Sequence, residues 1–115
     1  VEKLVLQTAA SDGKACRIAF EQEGGSSGKL YGASLIKLLA GYTVQGVPST
    51  GDKVTRAMPF IAQAEAGNVR LVNGPWVSDW LDEIVAVPNG AHDDQWDSAA
   101  GAFSLLAQPR GILLR

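Results

Sequence analysis

ACRIAFEQEGGSSGKLYGASLIKLLAGYTVQGVP, residues 15–48, is the stretch that decides the fold. Residues 15–20 alternate loosely, with Ile18 and Phe20 on one face, and predict a strand. Residues 24–28, Gly-Gly-Ser-Ser-Gly, predict a flexible loop. Over 29–40, Leu30, Ala33, Leu35, Ile36, Leu38 and Leu39 give a broad apolar face. That predicts a helix, with Gly41 closing it in the C′ position. Residues 42–47 predict a second strand, closed by Pro48. A strand, a helix and a strand in so short a span make parallel pairing the natural arrangement.

The pattern continues on both sides. Val1, Leu4, Val5 and Thr8 fall at helical spacing, and Ser11-Asp12-Gly13 stops that helix near residue 10. A loop is expected over 49–52. A helix is expected over 56–66, with Thr55 as N-cap, Pro59 in its first turn, and Ala57, Phe60, Ile61 and Ala64 as its buried stripe. Gly67 ends it. Residues 69–72 predict a third short strand, and Asn73-Gly74-Pro75 turns the chain. Ser78 caps a helix to about residue 86, burying Trp80, Leu81, Ile84 and Val85. Pro88-Asn89-Gly90 is a further turn. A last helix runs from about 93 to 107, with Trp96, Ala99, Ala100, Phe103 and Leu106 inward. The whole, residues 1–115, is expected to be one α/β domain with a short, mostly parallel sheet flanked by helices. Three short strands are few for so many helices, so strands upstream are expected to be missing.

Composition narrows the function classes. The chain has 115 residues, 46% hydrophobic and 19% charged, which is ordinary for a globular domain and excludes a disordered tail, a collagenous repeat or a coiled coil. The longest apolar runs, 84–87 and the Leu-rich end, are too short to span a membrane. No basic segment followed by an apolar stretch opens the chain, so no signal peptide is expected. The net charge of −2 does not advertise nucleic-acid binding. Cys16 is the only cysteine and His92 the only histidine, which excludes an internal disulfide, a thiolate cage and a multi-histidine metal site. Cys16, inside the first predicted strand, is expected to be a buried apolar filler. The chain opens on Val1, and Met58 is its one methionine, so a fragment or a processed product is expected.

The distribution of charge says more than its sum. Eight of the ten basic residues precede Leu71, and none lies between 71 and 109. That same stretch carries Asp79, Asp82, Glu83, Asp93, Asp94 and Asp97, half of all the acids. Either solvent or a divalent cation must disperse their repulsion. Glu21 and Glu23 end the first strand, where parallel sheets place ligand-binding side chains or simply meet solvent. His92-Asp93-Asp94-Gln95-Trp96-Asp97 opens the last helix. Asp94 and Asp97 are three apart and share a face. Acids in a first turn also suit the helix dipole, but that accounts for one or two of the three. Carboxylates from a strand end and a helix start suit a pair of Mg²⁺ or Mn²⁺ ions, since hard cations want oxygen. Two such ions about 4 Å apart drive phosphodiester hydrolysis. Gly24 to Lys29 fails as a nucleotide phosphate loop, because Glu23 stands where a glycine is needed and Leu30 where a Ser or Thr is needed.

Several runs together resemble one family. Residues 51–60 (GDKVTRAMPF) and 62–69 (AQAEAGNV) are similar to the large terminase subunit of tailed bacteriophages. So are Gly74-Pro75-Trp76, Pro88-Asn89-Gly90 and 92–97 (HDDQWD), while 21–29 (EQEGGSSGK) resembles that family's strand-end acidic motif. The likeness runs in order from about Asp12 to Phe103. It implies the carboxy-terminal nuclease part of that subunit, with a ribonuclease H-like fold. In that protein an ATPase drives viral DNA into a procapsid, and the nuclease cuts concatemeric DNA into genome lengths with divalent metal.

Carried over by position, the resemblance makes Glu21 the strand-end metal ligand and Asp94, with Asp93 beside it, the helix ligand. Asp97 is an additional or supporting ligand. His92 either orients a ligand or the attacking water, or is an exposed cap. Lys29, Lys53 and Arg56, on loops and helix starts, either meet DNA phosphates or solubilise helix ends. Trp76 and Trp80 either stack on bases or belong to the core.

The departures are specific. The family's first catalytic aspartate lies on an opening strand, and Asp12, in a turn after a helix, does not replace it. The opening strands and the ATPase half, with its ATP site, are expected to be absent. Position 24 is Gly where the family often has Pro, and Trp96 replaces a small aliphatic residue. The missing aspartate implies weak metal binding and poor or no cutting by this chain alone. Double-stranded DNA, the small subunit and the portal are the implied partners, in the cytoplasm of a bacterial host and away from membranes. The alternatives are an inactive prophage-derived remnant and a protein-docking module of the packaging motor.

Overall fold

The computed structural model describes residues 1–48, 52–87 and 89–107. Its elements, in chain order, are α1 (Glu2–Asp12), β1 (Ile18–Gln22), α2 (Gly25–Leu38), β2 (Val44–Pro48), α3 (Lys53–Glu65), α4 (Val77–Ala86) and α5 (Asp94–Ala107). They divide between two units, Val1–Thr50 and Gly51–Arg115.

The first unit is the strand–helix–strand arrangement expected from residues 15–48. β1 and β2 pair in parallel, with Ile18 opposite Val44, Phe20 opposite Gly46 and Glu21 opposite Val47. Side chains alternate across a sheet. Ile18, Phe20 and Gln22 are half-buried, whereas Ala19 and Glu21 on the opposite face are exposed. Two glycines make room for Phe20. A Cβ at Gly32 of α2 would stand 3.1 Å from its ring, and one at Gly46 of β2 would stand 3.0 Å from it. The aromatic edge therefore fills space that any side chain at either position would occupy. Leu35 and Leu39, with Ala9 of α1, are the buried apolar residues of this unit.

The expected loop over 24–28 is instead the first turn of α2, which begins at Gly25 with Gly24 as N-cap. The strand-to-helix turn is thus only Glu23 and Gly24. That tightness requires Gly28, because a Cβ there would lie 2.1 Å from the Glu23 carbonyl oxygen. Of the glycines that signalled a loop, Gly28 lets the backbone approach, and Gly25 supplies a φ of +88°. Cys16 lies in the turn before β1 and is exposed, not a core filler. β1 begins two residues beyond it, so the thiol has no sheet face to pack on.

The second unit is helical. A hydrophobic cluster of Ala57, Phe60 and Trp96 joins α3 to α5, with Ile61, Val69, Ile84, Val87, Ala99, Ala100 and Phe103 packed around it. The rings of Phe60 and Trp96 lie 5.8 Å apart, and those of Phe60 and Phe103 5.5 Å apart, both tilted. Tilted pairs at this separation are favourable for the ring quadrupoles.

Several expectations are corrected here. α3 starts at Lys53 rather than 56, and its N-cap is Asp52, not Thr55. An aspartate carboxylate outcompetes a threonine hydroxyl as acceptor, and the threonine becomes a donor to it. Pro59 is therefore the seventh residue of α3, not a first-turn residue. The third strand does not form. Among the described residues, 69–72 join no strand, and a lone segment has no ladder to join. On α4, Leu81 and Val85 are exposed, Val85 at 83%, and α5 buries Leu105 in place of Leu106. Ala64, Val1, Leu4, Leu30 and Ile36 are also exposed. Within the expected 49–52 loop, residues 49–51 lie outside the described residues, as do Pro88 and the Leu-rich end. Asn89 and Gly90 do turn the chain, both amides donating to the Ala86 carbonyl.

Two substitutions test these placements in urea unfolding. Pro59 is exposed and leaves the Thr55 carbonyl without a helical donor. Pro59→Ala is expected to raise stability by roughly 1–2 kcal/mol, the interior penalty of about 3 less about 1 from a freer unfolded chain. Gly28→Ala is expected to lower stability by about 1–3 kcal/mol, the overpacking cost outweighing the helix propensity gained.

Candidate functional site

The acidic turn opening α5 is built by packing. Trp96, 5% exposed, anchors the helix in the aromatic cluster. The Asp97 amide donates to the Asp93 carbonyl at 2.9 Å, which puts Asp93 at the N-cap position. Glu83 of α4 completes the cap. Its carboxylate accepts from the Trp96 amide at 2.8 Å and from the Gln95 side chain at 3.1 Å. A carboxylate there satisfies orphan amides and meets the positive end of the helix dipole. Sequence reasoning missed Glu83 because the contact joins two helices and follows no local spacing.

The three aspartates divide. Lys53 Nζ donates to Asp93 Oδ2 at 2.5 Å and to Asp97 Oδ2 at 3.0 Å. The ammonium thus bridges two carboxylates four residues apart on one helix. The hydrogen bond to Asp93, then the one to Asp97, raises the Lys53 pKa above the ordinary lysine range. The stabilisation is full below that ordinary range and disappears as pH climbs through the raised pKa. Asp94 takes no part. It is exposed, and it lines a shallow groove with Trp80, Gln95, Ser98 and Ala102. Asp94 and Asp97 both lie in the first turn of α5, three residues apart, but the lysine reaches Asp97 together with Asp93, four residues before it.

His92 is exposed just before α5. Arg56 is exposed on α3, where its charge helps hold the Asp52 carboxylate below its usual range. The larger causes are the hydrogen bonds that Asp52 accepts from the Thr55 amide at 2.9 Å and hydroxyl at 3.0 Å. In the first unit, Glu21 is exposed on β1 and Lys29 is exposed on α2. Trp76 is 56% exposed and joins exposed Leu71 and Val72 and half-buried Trp80 along an apolar groove. Among the described residues, no group of three or more His, Cys, Asp or Glu side chains is gathered closely enough to hold a metal ion. No described helix is long and apolar enough to cross a membrane.

Residues 5–106 of the 115 match the model of the terminase RNaseH-like domain family. The chain belongs to that family. No curated protein and no solved structure matches it. Membership assigns an RNaseH-like, α/β character and a nuclease-related role in a terminase. The parallel β1–β2 pair and the five helices agree with part of such a fold. The matched span takes in every acid of the α5 turn and both strands.

The Asp52 cap carries a pH signature. With its folded-state pKa lowered, its contribution is present above the ordinary carboxylate range and disappears as pH falls through the lowered value. Asp52→Ala is expected to destabilise the chain at neutral pH, and the gap between the two chains is expected to close on acidification across that window. Thermal melts followed by circular dichroism measure it; a gap independent of pH contradicts the cap.

Proposed function

We propose that this chain is the nuclease portion of a phage terminase large subunit, cutting concatemeric viral DNA endonucleolytically during genome packaging. The observation that carries the proposal is the family match over 5–106, with the acidic turn of α5 inside it. The setting is the cytoplasm of a bacterial host, with double-stranded DNA as substrate and the small subunit and portal as partners.

The donor chemistry fits a hard divalent cation, Mg²⁺ or Mn²⁺. Glu21 and Asp94 offer exposed carboxylate oxygens, and no thiolate or imidazole cluster stands among the described residues to favour a softer metal. We assign ligand roles to Glu21, Asp94 and Asp93. When bound, such ions activate water and stabilise the leaving oxygen of a phosphodiester. The protein's own contribution is placement. The Phe60–Trp96 contact and the Glu83 cap fix the α5 turn, so Asp94 presents its oxygens without a folding cost at each encounter. Asp97 supports the turn through Lys53, and His92 orients a ligand or water. Lys29, Lys53 and Arg56 lie on helices with their side chains reachable, where they meet phosphates.

Nicking of supercoiled plasmid with Mn²⁺ tests this directly. Glu21→Ala and Asp94→Ala are each expected to abolish cleavage while leaving the melting curve near that of the parent, since both side chains are exposed. Undiminished nicking by both variants sinks the assignment.

A further inference from the structure

The second unit leaves an aromatic surface open to solvent. Trp76, the N-cap of α4, and Trp80, one turn on, line one apolar groove with Leu71, Val72 and Ala99. Its volume is about 380 Å³, within the roughly 300–1,000 Å³ of sites that hold small molecules. Contiguous exposed apolar surface of this kind marks an interaction site. The Trp76 indole is seated rather than free to swing. It lies over Gly74, where a Cβ would run into the ring, and its carbonyl accepts from the Trp80 amide at 3.1 Å. Among the described residues, the aromatic pairs are those of Phe60 with Trp96 and with Phe103, which leave Trp76 and Trp80 out. One charged side chain lines the groove, that of Arg70. It is exposed, it makes no ion pair among the described residues, and it is the last cation before a stretch, 71–109, that has none.

We propose that the Trp76–Trp80 groove is a shelf for an unpaired base of DNA, with Arg70 holding the phosphate beside it, an assignment that rests on the nuclease reading given above. The occupant needs a flat apolar face for the indoles and a negative charge for the guanidinium, and a nucleotide carries both. An apolar peptide would cover the rings but leave Arg70 unanswered. A base inside a duplex has its faces taken by its stacked neighbours, so the base on the shelf is an unpaired one, as at a frayed or freshly cut end. Apart from Arg70, the side chains lining the groove are apolar or aromatic and none reads a base edge by hydrogen-bond pattern, so binding tolerates any sequence. Trp80 and Ala99 also border the shallow groove that holds Asp94. The shelf is therefore continuous with the acidic turn of α5, and a DNA end held on it lies beside that turn.

The test uses the whole chain and a short thymidine oligonucleotide in EDTA, so that binding is read without cleavage. Tryptophan fluorescence is expected to be quenched, since a stacked base reaches Trp76 and Trp80 while Trp96 is buried. A blunt duplex of the same length is expected to quench far less. Trp76→Ala is expected to weaken oligonucleotide binding about tenfold, whereas Trp76→Phe, which keeps a ring, stays within about threefold of the parent. Arg70→Gln is expected to weaken binding and to lower the slope of log affinity against log salt by about 0.7, the value for one phosphate of a single strand. Unchanged fluorescence overturns the proposal. So does binding that Trp76→Ala leaves intact, a Trp76→Phe chain no better than Trp76→Ala, or a duplex that quenches as strongly as the single strand. A second copy of the chain covering the groove shows as an emission that shifts with protein concentration and ignores the oligonucleotide, which also overturns it. The two readings fail separately: quenching at the shelf without any plasmid nicking counts against the nuclease assignment alone, and nicking without quenching counts against the shelf alone.

Discussion

Trp96 sits where an aspartate-rich turn becomes a buried helix. One residue before it the chain is exposed, and at Trp96 the indole enters the cluster with Phe60 and Ala57. The second unit is organised around that transition. The ring fixes the rotation of α5, the rotation aims Asp93 and Asp97 at Lys53, and the backbone amide of the same residue takes the Glu83 cap. The arrangement has a cost. Among the described residues, Trp96 Nε1 is buried without a hydrogen-bond partner, and a buried donor left so costs about 1–3 kcal/mol. Burying an aromatic ring of this size against two others offsets it. A smaller aliphatic residue would avoid the orphaned donor but would bury less surface and give up the ring contact with Phe60.

The two units are held by different means. In the first, backbone proximity dominates. Glycines at 28, 32 and 46 allow α2 and β2 to close on β1, and the aromatic edge of Phe20 fills what they leave. In the second, side chains dominate, through an aromatic cluster and carboxylates that reach from one helix to the next. A single family match nevertheless covers both.

The sequence made some of this legible and hid the rest for physical reasons. The parallel pair was readable because β-type runs flank a strong helical pattern with little room between them. Gly67 ending α3 was readable because its φ of +81° is one that glycine adopts freely. The start of α2 was hidden because glycine and serine signal loops by composition, while here they form its first turn and Gly28 permits the close approach to Glu23. The 69–72 strand was misread because alternation marks an extended segment but cannot supply a neighbour. The start of α3 was hidden by competition between two good caps three residues apart. At the candidate site, the acids themselves were visible, but their partners were not. Lys53 lies 40 residues from Asp93 in sequence, and Glu83 lies 13 from Trp96. Such contacts exist only once the helices have packed.

Pro59 divides α3 in a way that bears on its first turns. The ladder of amide-to-carbonyl bonds that runs along a helix is interrupted between Thr55 and Pro59. Beyond the interruption, Phe60 is locked into the cluster; before it, the chain from Lys53 onward is held by the Asp52 cap, by Ala57 and by the aspartates of α5. The helix is thus two segments of unequal tenacity joined at a weak seam. Opening the leading segment withdraws Ala57 but leaves the contacts of Phe60 with Trp96 and Phe103 in place, so amide exchange there runs on a lower free-energy scale than in the rest of α3.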